Sequence, residues 1–139
     1  MPAKDRFHDT VKTALIQDGW TITHDPLYLR FGKHKAFVDL GAEKLMAAEK
    51  EGRKIAVEVK TFSAESAIDA FEDAFGQFLI YLELLKRKEA DRILYLAVPL
   101  PFYEGYFAGD DFLTDLARDY EVRMLIFNPT TQQIDQWIS

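Results

Sequence analysis

The sequence has no cysteine among its 139 residues. This absence excludes a disulfide framework and any metal site built on thiolates. The chain also lacks a run of about 18 apolar residues, which a membrane-spanning helix would need. Its first residues lack the apolar segment of a signal peptide, so we expect a cytoplasmic protein of bacterial type with no membrane contact.

Positive charge is also scarce, because 17 Lys and Arg residues stand against 23 Asp and Glu residues and give a net charge of −6. A protein that holds nucleic acid by neutralising many phosphates is usually basic. The charge balance therefore counts against tight, indiscriminate DNA binding, although it leaves room for a local basic patch.

The three histidines, His8, His24 and His34, show no metal-ligand spacing, so a zinc site is not expected. His8 fits either the rim of a cleft or an exposed helix face.

The length and a hydrophobic content of 48% predict a single globular domain over residues 1–139. Amphipathic spacing predicts a helix over residues 4–18, a long helix from a Ser63 cap to residues 86–88, and a third helix over residues 110–120. We expect a kink at Gly41 and a hairpin turn at Glu51 and Gly52. Strands are predicted over residues 27–31, 36–40 with a continuation at 44–48, 53–61, 93–98, 122–127 and 134–138.

The order of these elements predicts an α/β domain with a mixed central sheet flanked by helices. Three hairpin-linked strands between two helices, followed by a buried strand, give an α-β-β-β-α-β core, and the rest adds α-β-β. The continuous apolar run at residues 93–98 is typical of a strand that is buried on both faces.

Three charged residues carry the strongest functional signal. Glu58 and Lys60 lie two positions apart on a predicted strand, so their side chains point the same way, roughly 7 Å apart. Asp39 interrupts an apolar stretch, where an acid is costly unless it has partners. If Asp39 ends the neighbouring strand, two carboxylates and one ammonium group converge.

Such a cluster suits a divalent cation and a phosphodiester substrate. Mg²⁺, or Mn²⁺ in its place, takes one or two protein carboxylates, which Asp39 and Glu58 could supply together with the carbonyl of Val59. Lys60 would orient a water molecule or stabilise charge at phosphorus, as in a Mg²⁺-dependent DNA endonuclease. The alternative is an ordinary half-exposed strand on which Lys54, Ala56, Glu58 and Lys60 face water.

The roles of Gln77, Glu43 and the aromatic segment at residues 102–107 each have two possible interpretations. Gln77 lies mid-helix among apolar residues and either reaches the carboxylates or is a partly exposed amide. Glu43 is either a spare metal ligand or a surface acid. The aromatic segment at residues 102–107 either covers a core edge or docks a partner subunit, as in a homodimer.

Two groups of basic residues are candidates for phosphate contacts with DNA, and solvated turn charges are the alternative. The candidates are Arg30, Lys33 and Lys35, with His34 between them, and Arg53 and Lys54 on the next strand.

Several long segments carry a family resemblance: residues 1–5 with His8, residues 18–26, 38–45, 55–60, 76–78, 94–99 and 136–139. On these residues the chain resembles the XisH family, the excision controlling factors associated with removal of the fdxN element in cyanobacteria. The resemblance implies a role alongside a site-specific recombinase and a companion protein, XisI.

The resemblance also implies a restriction-endonuclease-like fold of the PD-(D/E)XK type. In that pattern Asp39 is the first acid, Glu58 and Lys60 form the E-x-K pair, and Gln77 matches the glutamine of the following helix. Val38 stands where the pattern has proline. Fold likeness does not establish cleavage, so three functions stay open: a metal-dependent nuclease, a non-catalytic DNA-binding accessory factor, and a protein-interaction module.

Overall fold

The fold combines a six-stranded mixed sheet, a separate two-stranded hairpin, and helices on both faces of the large sheet. It is seen in a computed structural model that describes residues 6–44, 52–62 and 67–139. The predicted α/β class with a mixed central sheet flanked by helices is confirmed. Within the described ranges, no helix is long and apolar enough to cross a membrane.

The elements follow one another along the chain as α1 (His8–Gln17), β1 (Thr21–His24), β2 (Leu27–Phe31), β3 (His34–Val38), β4 (Leu40–Lys44), β5 (Arg53–Val59), α2 (Ala67–Lys88), β6 (Arg92–Pro99), α3 (Leu100–Phe102), a π-helical turn (Tyr103–Phe107), α4 (Asp111–Asp119), β7 (Met124–Asn128) and β8 (Gln133–Ile138).

The large sheet has the order β1-β4-β5-β6-β7-β8, and β2 pairs with β3 in the hairpin. β5, β6 and β7 are parallel, while β1, β4 and β8 pair antiparallel on the two sides. The parallel strands are joined through α2 and α4, and such crossovers are almost always right-handed, which brings both helices to one face. Phe78 of α2 and Leu113 of α4 share a core with the hairpin, while α1 packs on the opposite face.

β5 is buried on both faces. Val57 and Val59 join the core on the α1 side, and Ala56 joins the core on the α2 side. The residue after Val57, Glu58, points to the same side as Ala56 and is also buried. The alternative in which Ala56 and Glu58 face water is therefore wrong, because the hairpin and α2 cover that face.

The strands before α2 differ from the sequence prediction, since the described residues form five strands there rather than the three that were predicted. The strand predicted over residues 36–40 is divided at Asp39: β3 pairs with β2, and β4 pairs with β1 and β5. β4 and β5 pair antiparallel, as the predicted hairpin requires. Of the predicted continuation at residues 44–48, Lys44 ends β4. Residues 45–48, the turn residue Glu51 and the Ser63 cap lie outside the described residues.

The aromatic segment at residues 102–107 is helical and covers an edge of the core. The ring of Phe102 stacks on Phe62 with centroids 4.6 Å apart, and Phe71 contacts both Phe102 and Phe107. Tyr106 is exposed. The core-edge interpretation is confirmed, and docking of a partner subunit by this segment stays a prediction.

Gly41 does not kink the chain, because β4 runs through it from Leu40 to Lys44. The position is crowded instead: a Cβ atom there would lie 3.1 Å from the Cβ of His24 and 3.2 Å from Nη1 of Arg92. Arg92 is held in place, since Nη1 donates to the carbonyl of Ile55 at 2.8 Å and the guanidinium pairs with Glu89 at 3.2 Å. Close approach therefore explains the glycine.

We expect Gly41→Ala to lower the free energy of unfolding by about 1–3 kcal/mol, because the added methyl group forces His24 or the anchored Arg92 to move. Urea denaturation measures the change. Gly109→Ala is the matched control, since a Cβ atom at Gly109 meets nothing within 4 Å. Equal stability of the two variants would contradict the crowding argument.

Candidate functional site

Asp39 lies between β3 and β4, where the chain passes from the hairpin into the large sheet. Its carboxylate accepts a hydrogen bond from the backbone N–H of Val59, with 2.7 Å between nitrogen and Oδ2. The bond runs across to the end of β5. It therefore ties the junction of the two sheets to the strand that carries Glu58.

Glu58 closes this arrangement from β5. The residue is only 5% exposed, and Oε1 accepts a hydrogen bond from the backbone N–H of Asp39 at 3.2 Å. Nζ of Lys60 lies 3.6 Å from Oε2. The structure thus brings Asp39, Glu58 and Lys60 to one place, although 19 positions separate the two acids in the sequence.

The surroundings keep a proton on this cluster. Burial and the negative charge of Asp39 together raise the pKa of Glu58 to about 8, against the opposing effect of Lys60. A side-chain hydrogen bond between Glu58 and Asp39 also favours the protonated form. Retention of a proton by Glu58 is the expected result when a second acid lies beside it and no cation neutralises the charge.

The donor atoms fit a hard divalent cation. Asp39 and Glu58 offer carboxylate oxygens, and the carbonyl of Val59 is next to Glu58 in the chain. Among the described residues, no group of three or more His, Cys, Asp or Glu side chains is arranged to hold a metal ion. A pair of carboxylates without imidazole or thiolate suits Mg²⁺ or Mn²⁺ and does not suit Zn²⁺.

α2 carries two polar groups on one face, of which Tyr81 interacts with the acids. Oε1 of Gln77 is buried, and the described residues offer it no hydrogen-bond partner. Tyr81 lies one turn further along the same helix face. Burial, together with the negative charges of Glu58 and Asp39, raises the pKa of Tyr81 to about 12. Sequence reasoning missed Tyr81, and its four-residue spacing from Gln77 was the available signal.

The predicted DNA contacts fall into two separate places. Arg30, Lys33 and Lys35 lie around the tip of the β2–β3 hairpin, where Nε of Arg30 donates to the carbonyl of Gly32 at 2.9 Å. Arg53 and Lys54 begin β5, and Nζ of Lys54 lies 3.3 Å from Oδ2 of Asp91. Four residues of strand, about 13 Å, separate Lys54 from Glu58.

Glu43 is not a spare ligand for the site. It lies at the far part of β4, opposite Lys54, and its carboxylate is 3.9 Å from Nη2 of Arg92. Because β4 leads away from Asp39, Glu43 lies far from Glu58.

His8 is buried rather than part of an exposed helix face, since only 3% of it is exposed. Its Nε2 lies 2.6 Å from Oδ1 of Asp25, and Nζ of Lys12 lies 2.8 Å from Oδ2 of the same carboxylate. Burial favours protonation of Asp25, but hydrogen bonds from Lys12 and His8 outweigh it and lower the pKa. Sequence reasoning missed Asp25, because nothing in the local pattern pairs it with a helix 17 residues earlier.

The sequence pattern of the family described as XisH protein matches residues 1–135. This chain belongs to the XisH family. Two solved structures agree. An XisH family protein from Nostoc punctiforme PCC 73102 is 43% identical with a TM-score of 0.85, and the match covers 97% of this chain and 100% of that one. An fdxN element excision controlling factor protein from Anabaena variabilis is 43% identical with a TM-score of 0.86, over 98% and 100% of the two chains.

No curated protein matches the chain. The family assignment of this XisH protein therefore rests on the family pattern and on the solved structures.

We expect Glu58→Gln to flatten the pH dependence of stability. In the folded protein Glu58 keeps its proton up to about pH 8, whereas the unfolded chain loses it near pH 4.3. Between these values the folded state binds more protons, so the free energy of unfolding falls as pH rises, by at most about 1.4 kcal/mol per pH unit.

Urea denaturation of both proteins between pH 4.5 and 8.5, without divalent metal, measures this difference in slope. The exposed Glu104 provides the matched control Glu104→Gln. Parallel stability curves for the wild type and Glu58→Gln would show that no proton is retained at the carboxyl pair.

Proposed function

We propose that this XisH protein acts in the excision of a DNA element and that Asp39, Glu58 and Lys60 form a nuclease-like site that binds a divalent metal and contacts or cleaves DNA. The observation that carries the proposal is the convergence of two hydrogen-bonded carboxyl groups and one ammonium group at the end of β5. The 43% identity to the Anabaena variabilis excision controlling factor protein supports the cellular role.

The chemistry of the residues supports phosphodiester hydrolysis. Asp39, Glu58 and the carbonyl of Val59 would hold Mg²⁺ or Mn²⁺. When bound, such an ion neutralises phosphate charge and makes a water molecule more acidic. The raised pKa of Glu58 supports this assignment, because a cation can replace the proton that the carboxyl pair otherwise retains.

Lys60 has a separate task in this proposal. Its ammonium group is partly exposed and lies 3.6 Å from Oε2 of Glu58, so it can donate a hydrogen bond to a phosphate oxygen while Glu58 holds it in place. A fixed positive charge beside the scissile phosphate stabilises the charge that builds on it during attack by water.

Gln77 would complete the site from α2. Its buried Oε1 can accept a hydrogen bond from a water molecule or from a nucleotide, which would give this unpaired atom a partner. The assignment of the fold to the restriction-endonuclease-like PD-(D/E)XK type remains a prediction, and the converging acids support it.

A non-catalytic accessory function is the second candidate, and the distribution of basic residues favours it. Lys33 and Lys35 lie at the hairpin tip, Lys54 pairs with Asp91, and the net charge of the chain is −6. Such a surface supports recruitment of partners over broad contact with a duplex. The partners expected from the family resemblance are an XisI-like companion and a site-specific recombinase.

The metal-binding part of the proposal predicts stabilisation by Mn²⁺. At pH 8, 10 mM Mn²⁺ should raise the melting temperature of the wild type and of Lys60→Ala, because a ligand that binds only the folded state stabilises it. Asp39→Asn and Glu58→Gln should show no such rise. A rise of equal size in all four proteins would place the ion elsewhere.

The catalytic part predicts Mg²⁺- or Mn²⁺-dependent cleavage of supercoiled, branched or single-stranded DNA by the wild type. Lys60→Ala should lower the rate by about 100-fold or more while keeping the Mn²⁺ stabilisation, since the loss of one charge-stabilising group typically costs that much. Exposed Lys86→Ala is the control. Intact DNA in every wild-type reaction would refute cleavage and leave the accessory function.

A further inference from the structure

A groove of about 740 Å³ lies between the tip of the β2–β3 hairpin and the outer side of α2. Its floor is apolar and consists of Phe31 from the hairpin with Leu79 and Ile80 from α2. All three side chains are exposed, and Ile80 reaches 61%. Exposed apolar side chains that lie together in one groove indicate a binding surface, whereas single exposed apolar side chains scattered over a protein do not.

The rim of this groove is basic. Lys33 and Lys35 stand on the hairpin side, and Arg87 stands on the α2 side, where Glu83 pairs with it at 2.8 Å. The guanidinium of Arg87 also lies over the ring of Phe31, 5.1 Å from its centroid. On a chain with a net charge of −6, this rim favours an occupant that is both acidic and apolar.

The chain itself carries a surface of that kind on α4. Asp111, Asp115 and Asp119 recur at four-residue spacing and are all exposed. Phe112 beside them is 69% exposed, and Tyr120 at the end of the helix is also exposed. Arg118 donates to Asp115 at 2.5 Å, which leaves the surface acidic as a whole.

We propose that the groove receives α4 of a second copy of this chain. Phe112 would enter the apolar floor over Leu79 and Ile80, and the aspartates would meet Lys33 and Lys35. Apolar groups then meet apolar groups and acids meet bases. Two of the three floor side chains, Leu79 and Ile80, are aliphatic and offer no ring on which a base could stack, which favours a protein helix over nucleic acid.

The positions of the two surfaces allow a closed pair. The hairpin, α2 and α4 all pack on the same face of the large sheet, so the groove and α4 both belong to that side of the molecule. In a two-fold arrangement each groove receives the α4 helix of the other copy, and both contacts form together. The assembly then stops at a dimer and does not grow into an open chain.

Charge exchange tests the pairing. The groove variant combines Lys33→Glu with Lys35→Glu, and the helix variant combines Asp115→Lys with Asp119→Lys. The wild type should have twice the mass of the 16.0 kDa chain by sedimentation at about 100 µM. Each variant alone should dissociate at least about 10-fold more readily, because like charges then face each other at both contacts.

An equimolar mixture of the two variants should recover the dimer, since the reversed groove meets the reversed helix while the two unmodified surfaces meet each other. This recovery excludes misfolding as the cause of dissociation. Asp135→Lys, an exposed charge on β8, is the control and should leave the mass unchanged.

Three results would overturn the proposal. The first is a wild-type mass of 16.0 kDa at every concentration. The second is a mixture that stays monomeric. The third is loss of affinity for a DNA duplex in the groove variant without any change in mass, which would assign the groove to nucleic acid.

Discussion

Two hydrogen bonds at Asp39 hold the hairpin against the large sheet, and the candidate site depends on them. The Val59 N–H donates to the carboxylate of Asp39, and the Asp39 N–H donates to the carboxyl group of Glu58. Asp39 lies where the chain leaves β3 for β4. At this break, side-chain carboxyl groups accept hydrogen bonds from backbone N–H groups that backbone carbonyls would accept in a continuous pair of strands. The same two bonds fix the separation of the acids.

This arrangement carries an electrostatic cost. Glu58 is almost fully buried next to a second acid, and Lys60 offsets the repulsion only in part because it is itself partly exposed. A structure selected for stability alone would place an apolar side chain at such a position. A buried glutamic acid with a raised pKa beside a second acid is typical of a site where function sets the residue type.

The sequence predicted much of the fold, for local reasons. The four-residue spacing of apolar side chains in α2 and the continuous apolar run of β6 are periodic signals that survive in any context. The division of the predicted strand at Asp39 was missed, because the change of partner from β2 to β5 leaves no mark in local composition. Gly41 suggested a kink, whereas the distant Arg92 explains it.

The sequence by itself determined the family, the chemistry of Asp39, Glu58 and Lys60, and the alternation that points Glu58 and Lys60 the same way. Only the tertiary structure decided that Asp39 reaches them, that Glu58 is buried, and that Lys54 lies away from them. The physical reason is the separation in sequence over which each property is set. Side-chain direction follows from the strand on which a residue itself lies. Burial, pKa and the meeting of distant charges depend on which elements pack against that strand.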